Sequence, residues 1–82
     1  STPVPVEKQV AILYAVVKGV LTSVEVEDIQ AYEEGLYTFL DSDAQGVAAM
    51  EGIRTPGKLE GETEEKLKAA LADYTDRFLK TR

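Results

Sequence analysis

The sequence predicts an all-α fold, a small bundle of about four helices in one domain of 82 residues. Apolar residues recur at helical spacing in four segments, and Gly or Pro residues lie between most of them. No segment alternates clearly between apolar and polar residues, as a half-buried strand does. We expect an extended lead-in at residues 1–5, where each proline disfavours a helical predecessor, and a helical bundle at residues 6–82.

The first helix is predicted from about Val6 to Lys18. Its apolar stripe has the spacing i, i+4, i+7, i+8 and i+11, and comprises Val6, Val10, Leu13, Tyr14 and Val17. The other side is also apolar, with Ala11, Ile12, Ala15 and Val16, so this helix needs burial on nearly every side. A buried strand is the alternative interpretation of the run from Val10 to Val17. Gly19 can adopt a left-handed conformation and is the predicted helix end.

Two helices are predicted in the middle of the chain, after a turn at Thr22 and Ser23. One runs from about Val26 to Asp41, with acidic residues in its first turn, where the helix dipole favours them. Its apolar face comprises Ile29, Tyr32, Leu36, Phe39 and Leu40. The next runs from about Ala44 to Arg54 with Val47, Met50 and Ile53 on one side, and Pro56-Gly57 is predicted to end it.

The last helix is predicted from about Glu62 to Leu79. Its apolar stripe comprises Leu67, Leu71, Tyr74 and Phe78. Four acid-to-base pairs at i, i+4 are expected on its exposed face: Glu62–Lys66, Glu64–Lys68, Asp73–Arg77 and Asp76–Lys80. Each such pair contributes at most about 0.5 kcal/mol, so the stripe matters more than the charges.

Composition excludes several classes of function. The chain has no Cys and no His, which removes thiol nucleophiles, tetrahedral zinc sites and histidine acid–base catalysis. It has no Gly-x-x-x-x-Gly-Lys-Ser/Thr phosphate loop. The net charge is −6, and residues 19–53 carry eight acids without a Lys or Arg, which argues against a nucleic-acid partner. No apolar run is long enough to cross a bilayer.

Three patterns resemble sites without meeting their requirements. The segment Asp41-Ser42-Asp43-Ala44-Gln45-Gly46 begins like a helix–loop–helix calcium loop, but Gly52 stands where the bidentate Glu is required. Ser42 follows an Asp as in acyl carrier proteins, but it closes a helix instead of opening one. Adjacent carboxylates such as Glu33-Glu34 and Glu64-Glu65 point about 100° apart on a helix. We therefore predict no catalytic, cofactor-binding or metal-binding residue.

Six segments, taken in their order along the sequence, resemble those of a known family. They are Pro5-Val6-Glu7-Lys8-Gln9-Val10, the run ending in Tyr14-Ala15 with Gly19-Val20-Leu21 after it, Val24-Glu25-Val26-Glu27-Asp28-Ile29, Tyr32 to Leu40, Gly52 to Leu59, and Glu64 to Leu71. In this order and spacing they resemble the C-terminal helical domain of the alpha subunit of the rotary F-type ATP synthase. The resemblance extends from about Pro5 to Phe78.

The resemblance implies a non-catalytic structural role. Such a segment helps form the lower helical ring of the alpha/beta hexamer around the rotating gamma stalk, in ATP synthesis coupled to proton transport. Its partners would be the rest of the alpha subunit, the beta subunits and the gamma stalk, with no nucleic acid and no direct membrane insertion. This chain would hold no cofactor, whereas the full subunit would bind ATP or ADP with magnesium.

The resemblance also implies a location. The complex would lie at the cytoplasmic face of a bacterial membrane, or on the mitochondrial matrix or chloroplast stroma side, with this segment outside the lipid. The first residue is not methionine, which is consistent with a processed or excised piece of a longer protein. The alternative function from the residues alone is a free-standing acidic helical adaptor that binds a basic protein partner through residues 19–53.

Overall fold

The computed structural model describes residues 3–55 and 58–82, and within them every regular element is helical. Four α-helices follow one another: α1 (Val6–Val17), α2 (Ile29–Ser42), α3 (Ala44–Arg54) and α4 (Gly61–Lys80). Two short 3₁₀ turns, Val20–Ser23 and Val26–Asp28, connect α1 to α2. The predicted all-α bundle is confirmed, and the strand alternative for residues 10–17 is wrong.

The helix boundaries follow from local chemistry. Gly19 has φ 75°, the left-handed conformation that was expected to end α1. Asp43 separates α2 from α3, and its carboxylate accepts a hydrogen bond from the Gly46 backbone N–H at 3.0 Å, which caps α3. The second predicted helix was placed too early, because Val26–Asp28 forms a 3₁₀ turn before α2 begins. Pro56-Gly57 lies outside the described residues.

The core lies between α4 and the helices that pack on it. The predicted α4 stripe is confirmed, since Leu67, Leu71, Tyr74 and Phe78 are all buried. From α2 the core takes Tyr32, Leu36 and Leu40, while Ile29 and Phe39 pack at its edge. From α3 it takes Gly46, Ala49, Met50 and Ile53, whereas Val47, predicted to lie inward, is exposed.

Aromatic rings hold α2 against α4. The Tyr32 ring meets the Tyr74 ring edge-to-face at 5.0 Å between centroids, and it meets Phe78 in the same way at 5.2 Å. Such pairs are each worth about 0.5–1.5 kcal/mol beyond the area they bury. The Tyr32 hydroxyl lies 2.7 Å from the Thr75 hydroxyl, so its polar end is also satisfied. These contacts hold α2 and α4 together and resist sliding of one helix along the other.

The surface ion pairs of α4 differ in one place from the prediction. Glu62–Lys66, Asp73–Arg77 and Asp76–Lys80 form at i, i+4 as expected. The fourth expected pair, Glu64–Lys68, is replaced: Lys68 pairs with Glu65 at 3.7 Å, and Glu64 accepts a hydrogen bond from Tyr14 on α1. The partly buried Tyr14–Glu64 hydrogen bond thus takes the place of the surface pair Glu64–Lys68, which would have contributed little stability.

Candidate functional site

The most unusual surface of the molecule is the outer face of α1. Val6, Leu13 and Val17 lie within about 40° of one another around the helix axis. They are exposed to 69%, 63% and 73%, and Val16 beside them to 56%. What we call the outer stripe consists of Val6, Val10, Leu13 and Val17, of which Val10 is half-buried. The stripe is uncharged and runs for about 16 Å along α1, with Val16 at its flank. Contiguous apolar surface of this kind usually marks an interaction site.

The face that α1 turns inward carries only small side chains. Ala11 and Ala15 are 0% exposed and lie about 160° around the helix from the outer stripe. Alanine lets the α1 backbone approach α3 and α2 closely, which a valine or leucine would hinder. The predicted α1 stripe is therefore wrong as a core face, because most of its members point outward. The only local feature that distinguishes the inner face is the small size of its two side chains, which the periodicity of apolar residues does not register.

Two surface ion pairs favour the observed rotation of α1, each by a small amount. The Arg54 guanidinium on α3 donates two hydrogen bonds to Glu7, at 3.0 and 2.8 Å, and these bonds hold the pKa of that carboxyl below its ordinary value. The Lys8 ammonium pairs with Asp41 on α2 at 2.6 Å. Rotation of α1 that buried the outer stripe would break both pairs. The two pairs and the buried Ala11 and Ala15 thus agree on which face of α1 points outward.

A groove of about 340 Å³ lies between the end of α1, the turn that follows it and α4. The Tyr14 hydroxyl donates to Glu64 at 2.8 Å across it, and Leu71 forms part of its floor. Burial, and then the bond to Glu64, raises the pKa of Tyr14 to about 12. Tyr14 thus stays protonated at neutral pH, and its proton is committed to a structural bond, which makes it a poor catalytic base.

A second groove, of about 390 Å³, has an aromatic floor formed by Phe39, Tyr74 and Phe78. Hydroxyl groups line its rim, but they already donate hydrogen bonds within the protein. Ser42 donates to main-chain carbonyls of α2, and Thr81 donates to the Phe78 carbonyl at 2.8 Å. The groove therefore offers apolar surface and directs no free hydroxyl toward a ligand.

The site-like patterns of the sequence have structural roles. In the calcium-like segment, Asp43 caps α3 and Asp41 pairs with Lys8. Of the neighbouring carboxylates, Glu33 accepts a hydrogen bond from Tyr37 and Glu34 accepts one from Gln30. Within residues 3–55 and 58–82, no three acidic side chains converge as a metal site would require. In the same part of the chain, no helix is both long and apolar enough to cross a membrane.

The geometry defines a class of protein. Within the described residues, the molecule is a packed helical block in which several polar side chains join its own helices, and α1 presents an exposed apolar face. An exposed apolar helix face on a packed block is typical of an interaction or scaffold module.

The family identity follows from comparison with known proteins. The family model for the C-terminal domain of ATP synthase alpha/beta chains matches residues 1–74, and the chain belongs to this family. It is 46% identical over 72 residues to ATP synthase subunit alpha of Dehalococcoides mccartyi, a match that covers 88% of this chain. It is 45% identical over 74 residues to the same subunit of Streptococcus gordonii and over 76 residues to that of Ligilactobacillus salivarius. No solved structure matches the chain.

These relatives are much longer than the chain. Each match covers only 14% of the relative's own length, while it covers 88–93% of this chain. The recognised family resemblance is confirmed, and the similarity concerns the C-terminal domain that the family model describes.

Proposed function

We propose that this chain is a non-catalytic structural part of an F-type ATP synthase alpha subunit. It helps form the lower helical ring of the alpha/beta hexamer around the rotating gamma stalk, in ATP synthesis coupled to proton transport. Family membership over residues 1–74 supports the proposal most directly. The nucleotide site, with ATP or ADP and magnesium, belongs to the rest of the alpha subunit and to the beta subunits.

The mechanical part of the proposal relies on the stiffness of the block. A segment that transmits subunit movement to a rotating stalk must move as one body. The Tyr32–Tyr74–Phe78 cluster joins α2 to α4, and the Glu7–Arg54 and Lys8–Asp41 pairs join α1 to α3 and α2. Proteins packed in this way transmit displacement with little internal compression.

The proposed location is the peripheral part of the complex. The segment would lie outside the lipid, at the cytoplasmic face of a bacterial membrane or on the matrix or stroma side of an organelle membrane. Its net charge of −6 favours a position away from anionic headgroups, because like charges repel.

A chimeric subunit tests this proposal. The matching C-terminal segment of the Streptococcus gordonii alpha subunit is replaced by residues 1–82, and assembly of the purified complex and its ATP synthesis are measured. We expect both to be retained. The control carries Leu71→Asp in the same chimera, which should abolish assembly because Leu71 is buried in the core. Failure of the unaltered chimera to assemble, while the native subunit assembles beside it, would contradict the proposed function.

A further inference from the structure

We propose that the groove between the end of α1, the turn that follows it and α4 is a binding site for a small amphipathic carboxylate. Such a ligand has one carboxylate and an apolar body. The groove, called here the α1–α4 groove, has a volume of about 340 Å³, toward the lower end of the roughly 300–1,000 Å³ usual for small-molecule sites. The site is additional to the structural role proposed above and does not depend on it.

The floor of the α1–α4 groove is apolar and recessed. Leu71 forms part of it although only 1% of the residue is exposed, and Val20 of the turn and Ala72 of α4 also line the groove. A recess of this size admits one apolar group, such as a phenyl ring. It is too small for a stable protein interface, which takes about 800 Å² from each partner. The shape therefore favours a small molecule.

Two ammonium groups line the same groove, one from each side. Among the described residues, Lys18 pairs with no carboxylate, and its Nζ lies 5.7 Å from the centroid of the Tyr14 ring. Lys68 lies 3.7 Å from Glu65 in an exposed pair of the kind that contributes little stability. Both ammonium groups can therefore turn to a ligand, and an ionised acceptor would give them charge-assisted hydrogen bonds.

The charge of the lining selects a single carboxylate. Glu64 also lines the groove, but it already accepts the Tyr14 hydrogen bond at 2.8 Å. Two ammonium groups and one carboxylate give the lining a net charge of +1. The Tyr14 phenol stays neutral because its pKa is raised to about 12, so it adds no second negative charge. One carboxylate matches this lining, whereas a triphosphate would carry far more charge than the groove can balance.

A matched pair of probes tests the proposal on the full 82-residue chain. The probes are 4-phenylbutyrate and its neutral analogue 4-phenylbutanamide, titrated at neutral pH and followed by ligand-observed NMR. We expect the acid to bind with a Kd of about 1 mM, as its size allows, and the amide at least about tenfold more weakly. Glu64→Gln should tighten binding of the acid about threefold, because it removes the like charge beside the ligand.

Groove variants assign the binding to this site. Lys18→Met with Lys68→Met should weaken binding of the acid at least about tenfold and leave the amide unchanged. Lys58→Met removes the same charge from an exposed position before α4 and should change neither affinity. Ala72→Trp should fill the groove and abolish binding of both probes. Because Ala72 is exposed, that variant should keep the helical circular dichroism of the unaltered chain.

Several results would overturn the proposal. They are no saturable binding of the acid to the unaltered chain below about 10 mM, equal affinity for acid and amide, and an equal loss of affinity in Lys58→Met. Binding that survives Ala72→Trp would place the probe elsewhere on the surface and would overturn the proposal as well. None of these measurements depends on assembly of the chimera, so the proposed function is tested separately.

Discussion

The Tyr74 hydroxyl on α4 donates a hydrogen bond to the Tyr32 main-chain carbonyl on α2, at 2.8 Å. The phenol reaches that carbonyl by passing over Gly35, one turn further along α2. A Cβ at position 35 would overlap the Tyr74 oxygen and lie 3.3 Å from the ring carbon that bears it. The absence of a side chain at Gly35 is therefore what lets the aromatic cluster close against α2.

Gly35→Ala should destabilise the fold by about 1–3 kcal/mol, the usual cost of overpacking. The same change should be neutral or stabilising in a Tyr74→Phe background, because the overlapping oxygen is gone and alanine favours helix by about 1 kcal/mol over glycine. Chemical denaturation of the four proteins in this cycle measures the coupling. Additive effects of the two substitutions would show that the close approach is not the cause.

Leu71→Asp should unfold the chain. Leu71 is 1% exposed, and an unpaired buried carboxylate costs several kcal/mol, comparable with the roughly 5 kcal/mol that stabilises a small domain. Ala72→Asp is the control, since the next residue along α4 is exposed. Circular dichroism with a thermal melt distinguishes the two variants. A melt for Leu71→Asp like that of the unaltered chain would mean that the inward face of α4 is misassigned.

Glu64→Gln should lower the pKa of Tyr14 from about 12 toward its ordinary value of 10.0. Burial is the larger cause of the raised value and persists in the variant, so the pKa should stop short of 10.0. Because the folded-state value is raised, protonated Tyr14 contributes stability that is complete below pH 10 and is lost as pH rises through the folded-state pKa.

Phenolate absorbance, compared with that of a Tyr14→Phe protein, follows this titration. Tyr37, whose pKa is also about 12 and whose partner is Glu33, is the internal control and should not move in the Glu64→Gln protein. An unchanged Tyr14 titration would show that the hydrogen bond to Glu64 contributes nothing to the shift.

The chain alone should neither bind nor hydrolyse ATP. It has no phosphate loop, no His and no Cys, and the hydroxyls that line the aromatic groove are bonded to main-chain carbonyls. Titration calorimetry with magnesium-ATP should show no saturable heat. One-to-one binding at micromolar affinity would contradict the assignment of the nucleotide site to the rest of the subunit.

Sequence patterns predicted the fold well wherever one face of a helix was clearly apolar. The Leu67–Leu71–Tyr74–Phe78 stripe could be assigned because polar residues fill the other side of α4, and α3 has the predicted bounds Ala44–Arg54. The patterns failed for α1, which is apolar nearly all round, so periodicity could not tell the inner face from the outer one. Ala11 and Ala15 determine the packing there by close approach, an effect that the hydrophobicity of single residues does not reveal.

The interaction surface could be predicted only in part. The sequence of α1 is apolar on nearly every side, and a bundle of four helices cannot cover all of it. We therefore expected one face of α1 to remain exposed. Which face that is depends on how Ala11 and Ala15 pack against the other helices in space. The partners of the two α1 ion pairs, Arg54 and Asp41, are likewise 47 and 33 residues away in sequence. Contacts so distant in sequence leave no local pattern.

Sedimentation equilibrium of residues 1–82, combined with thermal unfolding, tests the central claim most directly. An isolated segment whose apolar outer stripe is left uncovered should self-associate, and should bind an apolar dye at that stripe. Leu13→Glu should weaken that association, whereas Gln30→Glu should not. A monodisperse monomer with a cooperative melt and no dye-accessible apolar surface would contradict the account and favour a free-standing adaptor.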